Sequence, residues 1–113
     1  MDCIFCKIAA GEIPSNTVME NENYKIFRDI APMAPVHLVA IPKKHIANFN
    51  ELEKEDFALV AEILQALQEA AKKEGVAESG YRIVNNCGKD AGQTVHHIHF
   101  HLLGGGELCG KLA

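Results

Sequence analysis

Gly92-Gln93-Thr94-Val95-His96-His97-Ile98-His99-Phe100-His101-Leu102-Leu103-Gly104-Gly105-Gly106 is the stretch from which the rest of the chain can be read. From His97 onward it alternates strictly, imidazole then apolar side chain. A period of two predicts a β-strand over Val95 to Leu103, ended by the glycines. It puts His97, His99 and His101 on one face and Ile98, Phe100 and Leu102 on the other. Neighbouring imidazoles on such a face are roughly 6–7 Å apart at Cβ, from the strand rise. The apolar face can pack on a helix, so the histidine face must line a cleft or meet solvent. A buried imidazole needs polar partners, and three in a row point to chemistry. Two kinds are open: metal ligation, and nucleophilic or acid–base catalysis near neutral pH. His96 points away from the three and reads as a surface or packing residue.

Just upstream, Asn86-Cys87-Gly88-Lys89-Asp90-Ala91-Gly92-Gln93-Thr94 is a glycine-containing turn. Such a turn can offer backbone N–H groups to an anion, and Gln93 and Thr94 add side-chain donors. Ahead of three histidines it reads as a phosphate cradle. Further out, Tyr81 to Asn85 reads as a strand. Glu53 to Lys73 is the one long helix, acidic at its start and basic at its end, as the helix dipole favours, and stopped by Gly75. Phe57, Val60, Ala61, Leu64, Leu67 and Ala71 share one face of it; Leu59, Ile63, Ala66 and Ala70 form a second stripe. So wide an apolar arc predicts two buried contacts, one to the sheet and one to another surface, and the small residues of the second stripe permit close approach of a partner helix. Toward the N-terminus, Asp2 caps a short helix through Ile8 and Ala9 that Gly11 stops. Thr17 to Glu20 and Tyr24 to Asp29 form a hairpin about Asn21-Glu22-Asn23, and Val36 to Ile41 is a strand closed by Pro42. The sum is a single α+β domain over residues 1–113, with a mostly antiparallel five-stranded sheet, the long helix packed on it and the short N-terminal helix.

At 113 residues the chain has room for one domain. With 48% hydrophobic and 23% charged residues it falls outside the disordered and low-complexity classes. A net charge of −4 gives no basic surplus for a nucleic-acid backbone. No apolar run approaches the roughly 20 residues that cross a bilayer, and the first residues lack the pattern of a signal peptide. No nucleic acid, no membrane and a cytoplasmic address are the expectations. The four cysteines are then thiols or metal ligands rather than disulfides. Cys3-Ile4-Phe5-Cys6 has no βαβ surroundings, which disfavours a thioredoxin-like role. It is either half of a zinc site completed by histidines or a pair of packed thiols.

His97-Ile98-His99-Phe100-His101-Leu102-Leu103 resembles the signature of the histidine-triad (HIT) superfamily. So do Gly92-Gln93-Thr94-Val95, Asp29-Ile30-Ala31-Pro32, Pro35-Val36-His37 and Ile41-Pro42-Lys43-Lys44-His45. The resemblance implies a half-barrel α+β fold and a homodimer formed through the long helix. It implies a purine nucleotide, of the AMP or GMP type, as substrate or product, with chemistry at the α-phosphate. Asp29 would hold the ribose hydroxyls, and Phe27 and Ile30 would line the base pocket. Asn86, Gly92, Gln93 and Thr94 would hold the phosphate, beside His99 and His101. His99 would be the nucleophile, supported by His37 and His101, with Thr94 near the leaving group. A neutral imidazole that attacks phosphorus gives a nucleotidyl-histidine that water hydrolyses, so no cofactor is required for the chemistry. Relatives that carry an N-terminal C-x-x-C with zinc complete it at positions that match His45 and His97, which implies a structural zinc on Cys3, Cys6, His45 and His97.

Leu102-Leu103-Gly104-Gly105 resembles the Hint branch, whose reaction is hydrolysis of purine nucleoside phosphoramidates. The alternatives are a Fhit-like dinucleoside polyphosphate hydrolase and a nucleotide-binding adaptor with little turnover. One departure stands out: Hint tails commonly carry tryptophan, and this chain has none.

Overall fold

The computed structural model describes residues 3–110. A short helix, α1 (Ile4–Ala9), precedes strands β1 (Thr17–Glu20), β2 (Tyr24–Arg28) and β3 (Val36–Pro42). The long helix α2 (Phe57–Lys73) follows, then β4 (Tyr81–Val84) and β5 (Phe100–Gly104). The five strands form one sheet in the order β1-β2-β3-β5-β4, every neighbouring pair antiparallel. Among the described residues no helix is long and apolar enough to cross a membrane.

Each element has a local cause. Cys3 is the N-cap of α1, its sulfur accepting the Cys6 N–H at 3.3 Å; the cap expected of Asp2 lies outside the described residues. The β1–β2 hairpin closes through Asn21, whose side-chain oxygen accepts the N–H groups of Asn23 and Tyr24 at 2.8 and 3.0 Å. The long helix begins later than its periodicity predicts. Residues Lys54–Asp56 form a tight 3₁₀ turn, and the α-helix proper starts at Phe57. The buried Asp56 carboxylate holds that turn, accepting from the Glu53 N–H at 2.9 Å and from Lys44 Nζ at 2.6 Å. Both contacts push its pKa below the usual carboxylate range, the lysine most. At the other end Arg28 grips Glu74 with two bonds of 2.6 and 2.9 Å.

The sheet has two covered faces. On one, Ile26, Leu38, Ala40, Phe100 and Leu102 pack against Ile63, Ala66, Leu67, Ala70 and Ala71 of α2. On the other, Phe27, Val39 and Ile41 pack under Ile8 of α1. Coverage on both sides explains why β3 is buried from His37 through Pro42.

Two expectations are corrected. The stripe Leu59, Ile63, Ala66 and Ala70, expected to meet a partner helix, faces this chain's own sheet. Of the first stripe, Phe57, Ala61 and Leu64 are left outward. Both stripes are apolar, so periodicity alone could not orient them. The strand expected over Val95 to Leu103 is short: only Phe100–Gly104 joins the ladder. Its partner β3 ends at Pro42, which has no N–H to offer, two residues past the Ala40–Phe100 pair. His97 and His99 therefore sit on irregular backbone, anchored by the Ile98 N–H on the Ile46 carbonyl at 2.6 Å.

Leu67 is fully buried between α2 and the sheet. Leu67→Ala is expected to lower unfolding free energy by about 3 kcal/mol, read as a lower urea midpoint at unchanged slope; a loss below the size of a surface substitution would overturn this packing.

Candidate active site

The break in the ladder has a chemical consequence. Because His97 is not paired in the sheet, its carbonyl is free to accept from a side chain, and it takes the His99 Nδ1–H at 2.8 Å. That bond puts the ring proton of His99 on Nδ1 and leaves the Nε2 lone pair free. The ring is 6% exposed, with Phe5 edge-on at 5.0 Å. The His99 carbonyl accepts the side-chain N–H of Asn85 at 2.9 Å.

Around it, His37 and His101 are joined Nε2 to Nδ1 at 2.9 Å, and the rings of His99 and His101 are 5.1 Å apart. The Met33 N–H donates to His37 Nδ1 at 3.0 Å. The His37 proton therefore sits on Nε2 and points at His101 Nδ1, which leaves the His101 proton on its own Nε2. Asp29 stands 3.5 Å from His37 Nε2 with one carboxylate oxygen, while the other accepts the Ala31 N–H at 2.8 Å. Burial lowers the His101 pKa to about 4; His99 and His37 push the same way, and Asp29 opposes them. His101 is thus neutral at neutral pH. A pocket of about 340 Å³ opens beside the pair, with Asn86, Arg82 and Met33 in its walls.

The turn before the histidines is a 3₁₀ turn over Lys89–Ala91, between Gly88 and Gly92. Gly92 is left-handed at φ 81°, a conformation that favours glycine. Thr94 is exposed. Gln93 differs from its expected part as a phosphate donor. Its amide protons go to the Ala47 and Val95 carbonyls at 2.9 and 3.0 Å, and its oxygen accepts the Gly88 N–H at 2.9 Å. It shapes the turn from inside. Phe27 and Ile30 differ in exposure: Phe27 is buried against Phe5, whereas Ile30 is 99% exposed on the loop after β2.

A second cluster lies on the far side of His97. The ligand atoms of Cys3, Cys6, His45 and His97 all lie within 4.8 Å of one another. His97 Nδ1 is 3.4 Å from Cys3 Sγ, 3.5 Å from Cys6 Sγ and 3.2 Å from His45 Nδ1; Cys6 Sγ is 3.2 Å from His45 Nδ1. Zinc–ligand lengths place the ligands of a tetrahedral ion about 3.3–3.8 Å apart, and this spacing is close to that. The His97 ring is already oriented for ligation. Its Nε2–H donates to the Pro42 carbonyl at 2.8 Å, so the Nδ1 lone pair faces the thiols. These residues fit a zinc ion by spacing and by donor set.

The family model described as "Scavenger mRNA decapping enzyme C-term binding" matches residues 2–108. An HIT-like protein of Chlamydia trachomatis is 45% identical over all of both chains. The purine nucleoside phosphoramidase of Escherichia coli is 40% identical over 99% of this chain and 94% of its own length. The crystal structure of a HIT family hydrolase from Legionella pneumophila superposes with a TM-score of 0.94 at 50% identity, covering 96% of this chain and 97% of that one. This chain belongs to the histidine-triad family of hydrolases.

In this histidine-triad protein several positioning groups have no signal in the sequence. The carbonyls of His97, Pro42 and Ala47 and the N–H of Met33 act through the backbone, where residue type says nothing. Phe5 reads as a core residue until the fold sets it against His99. Asn85 was the one open to inference, being a second amide beside Asn86.

The depressed His101 pKa has a measurable consequence. Between its ordinary pKa of 6.5 and about 4, the unfolded chain binds a proton that the folded chain refuses. Stability is therefore expected to fall as pH drops through that window and to lose this slope below it. His101→Gln should make the urea midpoint less steep against pH across the window; an unchanged slope would rule the assignment out.

Proposed function

We propose that this histidine-triad protein is a purine nucleoside phosphoramidase, hydrolysing the P–N bond of nucleoside 5′-phosphoramidates through a nucleotide attached to His99. The observation that carries the reading is the His99 tautomer, with Nδ1–H tied down and Nε2 free. A binding module has no need of that arrangement; a nucleophile does. The E. coli relative bears this activity in its name.

In this reading His99 Nε2 attacks the α-phosphorus. The N–P bond to His99 forms, the bond to the leaving amine breaks, and the amine departs with the electron pair and takes up a proton from solvent. Water then attacks the same phosphorus and gives a proton to solvent, the pair returns to Nε2, and the nucleoside monophosphate leaves. His101, neutral and protonated on Nε2, donates to a phosphoryl oxygen, with His37 holding its ring. Asp29 takes the ribose hydroxyls. Asn86, Gly92 and Thr94 surround the phosphate, Gln93 contributes by shaping their turn, and Phe27 and Ile30 receive the base.

His99→Asn is expected to lower turnover of adenosine phosphoramidate at least about a thousandfold, the scale of an essential nucleophile, with nucleoside monophosphate binding weakened far less. Rapid quench of the wild type should trap acid-labile nucleotide on His99. Faster turnover of a diadenosine polyphosphate than of the phosphoramidate would replace the substrate assignment, and label on His97 or His101 would replace the nucleophile.

Two further parts belong to this reading. A structural zinc is held by Cys3, Cys6, His45 and His97, so the purified chain should carry one metal that Cys3→Ser loses, with a lower melting temperature. A homodimer forms through the outward residues of α2, where Phe57 and Leu64 are 50% and 41% exposed. Leu64→Glu should sediment as a folded monomer, whereas a wild-type monomer at micromolar concentration would refute the dimer.

A further inference from the structure

We propose that His97, clamped by the Cys3–Cys6–His45 metal group, is the positioning residue that sets the tautomer and the aim of His99. The inference rests on the zinc reading and goes beyond it, since it gives the metal group a part in reactivity rather than in stability alone.

His97 is fully buried and held at three points. Its Nδ1 faces the two thiols and His45, its Nε2–H donates to the Pro42 carbonyl, and its own carbonyl receives His99 Nδ1–H. The main chain here lies outside the sheet ladder; Ile98 N–H on Ile46, Asn85 on the His99 carbonyl and Gln93 on the Val95 carbonyl hold its neighbours, while His97 is held through its ring. The direction of the His97 carbonyl therefore depends on where its ring is anchored. That anchor is the cysteine pair of α1.

The same helix reaches His99 directly. Phe5, between the two cysteines, stands 6.0 Å from the His97 ring and 5.0 Å from the His99 ring, edge-on to both. With six residues, α1 is too short to persist on propensity alone. It is held by Ile8 in the second core, by Lys25 Nζ on the Ile8 carbonyl at 3.0 Å, and by its thiols. Release of the thiols loosens Phe5 and the His97 ring together. The His99 Nδ1–H then loses a fixed acceptor, and the ring populates the tautomer whose Nε2 carries the proton. In that form Nε2 has no lone pair for phosphorus. Outer partners of this kind typically change activity about 10–100-fold.

The test compares the zinc-loaded chain, the chelator-stripped chain and His45→Gln, which removes one ligand while every residue of α1 and the triad keeps its identity. Metal content is measured first. His99 is then followed by ¹⁵N–¹H resonances of its ring, and the nucleotidyl-transfer step by single-turnover quench. Stripped and variant proteins are expected to show a mixture of His99 tautomers and a single-turnover rate about 10–100-fold lower. Their nucleoside monophosphate affinity should change little, and added zinc should restore the stripped chain. A purely structural metal would move the melting temperature and leave the His99 resonances alone. Stoichiometric zinc whose removal changes neither tautomer nor rate overturns the positioning role and leaves the zinc site standing. A chain that takes up no zinc overturns both. Should stripping unfold the protein, exchange of zinc for the larger cadmium must shift the His99 ring resonances; unmoved resonances overturn the proposal.

Discussion

The bond from His99 Nδ1–H to the His97 carbonyl, 2.8 Å long, is the constraint to which the rest of the site answers. It exists because β5 does not extend back to His97. A carbonyl committed to a ladder would be occupied, and the His99 ring would be free to carry its proton on either nitrogen. Pro42 limits the ladder and then uses its own carbonyl on His97. One proline thus shortens a strand, releases an acceptor and anchors the residue that carries it.

The same logic runs through the other rings. His37, His97, His99 and His101 each have one nitrogen fixed by a backbone group or a neighbouring ring, which determines what the second nitrogen does. The Met33 N–H on His37 sets the direction of the His37–His101 bond. His101 is thereby a neutral donor beside a pocket, with its pKa lowered by burial among other imidazoles. The tightly covered sheet makes this possible. Val39 and Val84 flank His101 in the register, so its ring has little room to turn.

Much of this architecture was legible in the chain. The hairpin about Asn21, the long apolar helix and the Phe100–Gly104 part of the period-two run each carry a local cause that survives in the fold. The histidine, cysteine and carboxylate residue types announced their chemistry before any geometry was known. Three things were not legible. Two apolar stripes on α2 compete for one sheet, and the choice follows from shape complementarity across distant residues. Gln93 looked like a donor to a ligand because its spacing cannot reveal that Ala47 and Val95 lie within its reach. The length of β5 depended on where its partner ended, 58 residues earlier at Pro42.

What the sequence by itself determined is therefore the inventory: which strands and helices form, and which side chains can bind a metal, hold a proton or act as a nucleophile. Alternation and residue chemistry are local properties, and a local reading recovers them. What only the tertiary structure decided is which nitrogen of His37, His97, His99 and His101 carries the proton. That depends on backbone carbonyls and N–H groups that every residue possesses, and only the folded chain selects which of them meets which imidazole.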